Sequence, residues 1–201
     1  MKNFYIAAMA AAAMLVSNAV MAADNYIGAS FGESELDTGV TSTTNSTLDD
    51  EDDGFKVFAG FKVNPNISVE AQYVDFGEAS LVMQNGGSFT AEGTTVINST
   101  GSSATISIEG TSFGVGVLIG TDTGGLYPFV KVGLHSWDMD TSLSGANIAT
   151  TTLSDDGTDF YYGVGASYDI NETLSLRAEF ETYDFDGEDV DLLSAGIAVK
   201  F

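Results

Sequence analysis

Apolar and polar residues alternate with period two along most of this chain, and almost nowhere with a helical period. The runs are NYIGASFG (25–32), GFKVFAGFKV (54–63), ISVEAQYVDF (67–76), TSFGVGVLIG (111–120), LYPFVKVGLHSW (126–137), DFYYGVGASYDI (159–170), LSLRAEFETYDF (174–185) and DLLSAGIAVKF (191–201). Successive side chains of a strand point to opposite faces, so each run predicts a strand with one apolar face and one small or charged face. In the last run Leu193, Ala195, Ile197, Val199 and Phe201 share one face, and Leu192, Ser194, Gly196, Ala198 and Lys200 the other. The connections alternate in kind. Residues 64–66, 121–125 and 171–173 are tight turns, 33–53, 77–110 and 138–158 are long and polar, and 186–190 is short. An even number of strands of about ten residues, with short turns at one end and longer loops at the other, predicts an all-β fold: an eight-stranded antiparallel up-and-down barrel that spans a membrane.

The direction of the apolar face separates a membrane barrel from a soluble one, because a soluble barrel turns its bulky apolar residues inward. Lys56, Lys62, Lys131, Arg177 and Lys200 all fall opposite the apolar stripe of their own strand, and Glu70, Glu179 and Glu181 join them. An uninterrupted apolar stripe suits lipid, and a charge on the lipid face near the midplane would cost about 2–4 kcal/mol. The eight charged residues therefore form a candidate charge network in a narrow polar lumen, together with Phe58, Tyr127, Phe129 and Tyr161. Charges in so small a space must pair. Arg177 is expected to bond Glu70 or Glu179. On the lipid side, Phe31, Phe55, Tyr73, Phe113, Phe160, Tyr162 and Phe180 predict an aromatic girdle at the loop end, and Phe61, Tyr168 and Phe201 a thinner one at the turn end.

The N-terminus places this barrel outside the cytoplasm. Lys2, an apolar stretch from about Phe4 to Val16, and the small-residue site before Ala23 read as a secretory signal peptide over residues 1–22, leaving a mature barrel over 23–201. The chain has no cysteine, so the exported protein relies on sheet hydrogen bonding and packing. Beyond Lys2, 5 basic residues stand against 29 acidic ones, a formal charge of 5 − 29 = −24. Nucleic acid needs a basic surface and is excluded as a partner.

The segment YYGVGASYDINETLSLRAEFETYDF followed by DLLSAGIAVKF resembles the last strands of the small outer-membrane β-barrel family of the outer-membrane protein A and X type. The short turn after an aromatic strand and the final Phe201 carry most of that likeness. The resemblance covers the mature chain and implies a bacterial outer-membrane location. It also implies that Phe201 is an assembly signal read by the barrel assembly machinery. Two-domain members carry a peptidoglycan-binding domain after the barrel; this sequence stops at the barrel, so cell-wall anchoring is not implied.

Chemistry beyond the barrel is sparse. His135 is the single histidine, on the lumen side beside Lys131 and Trp137 with Asp138 and Asp140 nearby, and it reads as a packed polar residue; no catalytic residue and no cofactor is expected. The run Asp49, Asp50, Glu51, Asp52 and Asp53 offers oxygen ligands for a divalent cation of the kind that bridges lipopolysaccharide, against the alternative of a solvated acidic loop end. It lacks calcium-loop spacing, because the position that needs a bidentate Glu is Gly60. Segment 77–110 alternates Thr, Val and Ile, as a hairpin projecting beyond the membrane and suited to strand addition would. The expected function is structural or surface-interactive, in a monomer whose partners are outer-membrane lipid, lipopolysaccharide and a surface partner met by the loops. A small diffusion channel is the alternative, and a barrel enzyme built on His135 a third reading.

Overall fold

The structure, a computed structural model, describes residues 25–201 apart from Thr38 and Glu92. The expected signal peptide and the start of the mature chain at Ala23 lie outside the described residues. Ten strands follow one another: β1 (Asn25–Leu36), β2 (Thr41–Asp49), β3 (Glu51–Asn64), β4 (Ile67–Ala91), β5 (Thr94–Ile97), β6 (Ala104–Gly120), β7 (Leu126–Gly145), β8 (Ile148–Asp169), β9 (Leu174–Phe185) and β10 (Glu188–Lys200). Eight of them close a ring in the order β1, β3, β4, β6, β7, β8, β9, β10, every pairing antiparallel. The seam joins the two ends of the described chain, with β1 and β10 in unbroken register from Tyr26↔Lys200 to Leu36↔Val190. Closure leaves the membrane-spanning wall without an edge, so its backbone donors and acceptors are satisfied within the sheet.

The faces follow the period-two reading. Ile27, Val115, Val130, Val132, Leu134, Val164, Leu176, Leu193 and Ile197 are exposed on the outer wall, where only hydrocarbon makes such an apolar surface stable. Phe31 (68% exposed), Phe160 and Tyr162 stand at the upper edge of that band, and Tyr168 and Phe201 at the lower. From Leu193 to Phe201 the stripe covers eight rises of about 3.3 Å, or roughly 20 Å of height at a tilt of about 40°, close to the hydrocarbon thickness of an outer membrane.

The segments expected as long polar loops are largely strand. β4 runs for 25 residues, and β6, β7 and β8 continue upward with it; β7 and β8 stay paired as far as Gly145↔Ile148. Ser and Thr alternate there with scattered Leu, Ile and Met, which keeps the strand pattern but weakens its apolar signal. Inside 33–53 lies the extra strand β2, which pairs with β4 through two register shifts near Asn45 (φ 49°). Leu81, Met83 and Ala104 are buried in this extension against Leu48, Phe89, Ile106 and Leu143. β9 and β10 do not rise with it. They turn back at Asp186 (φ 55°) and Gly187 (φ 96°), where the Gly187 amide donates to Asp184 Oδ1 at 2.7 Å. The extracellular part is therefore an open sheet of β2, β4, β6, β7 and β8, with the short β5 paired to the upper end of β4, standing over one side of the barrel mouth.

Candidate functional site

The inward-facing residues of β3, β4, β7 and β9 meet at mid-barrel. Lys56 comes from β3, Glu70 and Gln72 from β4, Lys131 from β7, and Arg177, Glu179 and Glu181 from alternate positions of β9. Arg177 donates to both oxygens of Glu70, at 2.6 and 3.1 Å, and to Glu179 Oε1 at 2.8 Å. Lys131 Nζ lies 2.9 Å from Glu70, 2.7 Å from Glu179 and 2.8 Å from Glu181, and donates to Gln72 Oε1 at 3.0 Å. Lys56 completes the cluster by bonding Glu179 at 2.6 Å and Glu181. Three cations face three carboxylates, all six side chains at most 3% exposed, so the formal charge sums to zero. Charges buried this deeply are tolerable only when each is compensated and its remaining hydrogen-bonding groups are met.

Aromatic layers close the network from both sides. Below it the Arg177 guanidinium stacks 4.3 Å from the Phe58 ring centre and 4.8 Å from that of Phe129, while the Tyr26 hydroxyl donates to Glu70 at 2.9 Å. Above it Tyr161 and Tyr183 stack at 5.2 Å, and the Gln72 amide donates to the Tyr183 hydroxyl at 2.7 Å. Phe76, Trp137 and Phe185 form the next layer, and Leu36, Val74, Ala79, Val190 and Leu192 the rest of one apolar core. A cavity of about 20 Å³, room for one water, remains under the extracellular sheet between Phe76, Ala79, Met139 and Val190. The charges are therefore confined to the middle of the lumen, and its outer half is an aromatic and aliphatic plug in which His135 packs between Tyr183 and Phe185.

Two of the eight expected network residues lie elsewhere. Lys200 pairs with Asp169 at 2.5 Å in the half-exposed mouth at the turn end, and Lys62 stands over the Tyr127 ring at 5.4 Å. Both sit at strand ends, several rises below the central cluster, which is beyond side-chain reach. Gln72, Tyr183 and Tyr26 were missed as members; Gln72 and Tyr183 share the face of their strands that carries the lumen charges, whereas the inward face of β1 holds no charged residue to point to Tyr26.

His135 is 1% exposed. Its Nε2 lies 2.9 Å from the Asp184 carbonyl, which can only accept, so Nε2 carries the proton and Nδ1 accepts from the Ser112 hydroxyl at 2.9 Å. The acidic run is divided by strand alternation. Glu51 and Asp53 lie on the outer face opposite Glu35 and Glu33 of β1, whereas Asp52 accepts the Glu78 amide at 2.6 Å. Glu33 raises the Glu51 carboxyl above its usual range, with smaller contributions from desolvation, Glu35, Asp50 and Asp49. Among the described residues no group of three or more acidic or histidine side chains is gathered closely enough to hold a metal ion.

A family profile described as "outer membrane protein beta-barrel domain" matches residues 5–201. No curated protein matches the sequence. Among solved structures, the attachment invasion locus protein Ail of Yersinia pestis, in complex with the heparin analogue sucrose octasulfate, superposes with a TM-score of 0.57 at 15% identity, covering 90% of this chain and 100% of that one. Neisserial surface protein A gives 0.57 at 18% identity with the same coverage. The N-terminal barrel domain of OprF from Pseudomonas aeruginosa gives 0.51 at 13% identity, again covering 90% and 100%. At these identities the likeness is one of fold.

Proposed function

Because this chain belongs to the outer-membrane β-barrel family and lies in the bacterial outer membrane, we propose that it is a sealed barrel that acts through its wall and its extracellular sheet rather than through its lumen. The observation that carries this is the filled interior. A charge-neutral network of Lys56, Glu70, Lys131, Arg177, Glu179 and Glu181 is capped by Tyr161, Tyr183, Phe76, Trp137 and Phe185, with no residue of that column more than 6% exposed. An eight-stranded barrel has just enough interior for side chains, and these occupy it. The role is then envelope stability and surface interaction, in a monomer, with no enzymatic activity. His135 supports the last point, since both its ring nitrogens are bonded inside the wall.

The surface chemistry favours cationic over anionic partners. Among the described residues every basic side chain points into the lumen or its turn-end mouth, so the extracellular sheet presents acids and hydroxyls. Phe201 is the signal taken by the assembly machinery. Conductance of the refolded protein in a planar bilayer tests the central reading. Weak, intermittent openings are expected; a large, steady conductance would replace the sealed barrel with a diffusion channel.

A further inference from the structure

The membrane-spanning wall passes into the extracellular sheet through a bulge in β4. The register of β4 with β6 runs unbroken from Ile67↔Ile119 to Asp75↔Thr111, then advances three residues on β4 against two on β6, and resumes from Glu78↔Glu109 to Met83↔Ala104. Gly77 takes up the extra residue with φ 75°, a value that favours glycine, and its amide donates to Asp75 Oδ1 at 3.1 Å. The buried parity resets across it: Gln72, Val74 and Phe76 are buried below, and Ala79, Leu81 and Met83 above. A bulge bends its strand and interrupts the ladder, so the sheet can hinge on the wall here.

A carboxyl pair clasps this hinge. Glu78 and Glu109 are the first residues paired above the bulge, and both are exposed on the outer face. Their side chains share a hydrogen bond. An ionised carboxylate only accepts, so that bond exists only when one of the two holds a proton. Acids surround the pair. Glu109 stands between Glu78 of β4 and Asp140 of β7, and Asp140 accepts the Ser154 hydroxyl of β8 at 2.5 Å. One row lower Asp75, Asp138 and Asp156 share the outer face, and Asp52 of β3 accepts the Glu78 amide at 2.6 Å. Among the described residues the cations lie elsewhere, with Lys56, Lys131 and Arg177 in the lumen and Lys62 and Lys200 at its turn-end mouth. Desolvation, the bond to Glu78, and the charges of Glu78, Asp140 and Asp75 together raise the Glu109 carboxyl above its usual range.

We propose that Glu78 and Glu109 form a proton-operated latch: a proton shared between them closes the β4–β6 pairing above the bulge, and its loss loosens the extracellular sheet while the wall stays closed. The latch goes beyond the sealed-barrel reading and does not depend on it. The proton comes from solvent, donated by one carboxyl to the other across the strand pair. When both are ionised, like charges stand directly opposite one another and weaken the same pairing. A carboxyl raised in the folded sheet stabilises it fully below the unfolded value, about 4.3 for Glu, and that contribution is lost as pH rises through the raised value. The sheet is therefore firm in acidic surroundings and looser in neutral ones. Below the bulge the outer face of the same two strands carries Val69, Ala71, Tyr73, Phe113, Val115 and Val117, with no carboxyl to respond.

Amide exchange of the whole barrel in lipid nanodiscs tests the latch, at pH about 4 and about 7, on either side of the ordinary Glu value. Rates are expressed as protection factors, so the intrinsic pH dependence of exchange cancels. Protection over 79–83 and 104–108 should be at least about threefold higher at the acidic pH, and over 69–73 and 113–117 unchanged. Glu109→Gln keeps the shape and gives Glu78 a permanent N–H donor, so it should hold the acidic level at both pH values. Glu109→Ala removes the repulsion without supplying a donor, and should lose the pH response at a lower level of protection than Glu109→Gln. Carboxyl-carbon NMR should place the Glu109 midpoint above about 4.3, and Glu78→Gln should lower it. The heat-dependent gel shift confirms that each variant is folded. Protection indifferent to pH, an ordinary Glu109 midpoint, or a gain shared equally by wall and sheet would overturn the latch. Equal protection in Glu109→Ala and Glu109→Gln would overturn it too, leaving plain charge repulsion in place of a shared proton.

Discussion

Arg177→Ala is the perturbation that most directly tests the barrel interior. The wild-type network balances Lys56, Lys131 and Arg177 against Glu70, Glu179 and Glu181. Removing Arg177 leaves one buried carboxylate charge uncompensated and empties the space between the Phe58 and Phe129 rings. Breaking a buried pair by deleting one partner costs about 3–5 kcal/mol. Glu70 keeps Lys131 at 2.9 Å and the Tyr26 hydroxyl at 2.9 Å, which places the expected loss toward the lower end, about 3 kcal/mol. The assay is urea unfolding of the refolded barrel in liposomes, followed by the fluorescence of Trp137 in the plug. A companion, Arg177→Met with Glu70→Gln, removes one charge of each sign and should recover much of the loss, because neutrality returns. Conductance should rise in Arg177→Ala and fall back in the double variant. A loss below about 1 kcal/mol, with the double variant no better than the single, would mean that these charges are solvated, as exposed pairs are, and the sealed interior would be refuted.

Gly133→Val should prevent correct closure or cost at least about 1–3 kcal/mol, as overpacking does, because a Cβ there would stand 2.3 Å from the Tyr161 ring and 2.4 Å from the Val115 carbonyl; loss of the heat-dependent gel shift of a folded barrel reads it. Protonation of Glu51, held above its usual range by Glu33, relieves repulsion, so the stability of the upper β1–β3 pairing should fall as pH rises from about 4.3, the ordinary value for Glu, through the raised one. Magnesium at neutral pH should restore it, and Glu51→Gln should abolish both responses in a denaturation series. Phe201→Ala should lower outer-membrane levels well beyond Phe61→Ala; equal losses would leave Phe201 with only its apolar burial, about 1.5–3 kcal/mol for a large side chain.

The wall was legible because lipid imposes a strict rule: one uncharged face per strand, so that five basic residues sufficed to tell inside from outside. The strand cores at 54–63, 126–137 and 174–185 lie within β3, β7 and β9 for that reason. Above the membrane the rule lapses. Ile148 to Gly157 of β8 and Ser80 to Ala91 of β4 alternate hydroxyls with isolated apolar residues, and only their partners across the sheet make them strands. The plug was legible in part: Tyr161 was placed in the lumen, whereas Tyr183 and Phe185 were not, although they continue the inward parity of Arg177, Glu179 and Glu181 and extending that count by two steps finds them. The pairing of Arg177 was legible, and it bonds both Glu70 and Glu179; parity fixes a face but leaves height along the axis open, so Lys62 and Lys200 were wrongly counted in the same cluster.

The central network has a consequence for assembly. Its members are contributed by strands as far apart as β3 and β9, so the full network is neutral only once β9 arrives: without β9, Lys56 and Lys131 face Glu70 alone. A slip of β9 by two residues would preserve the alternation of faces and leave the lipid wall intact, yet it would carry each carboxylate about 6.7 Å along the strand, far outside bonds of 2.6–3.1 Å. Hydrophobicity cannot detect that error, since every slipped residue still sits on its proper side. Unpaired charge can. The interior therefore acts as a register lock, penalising every closure except the one in which the strands arrive at matching heights.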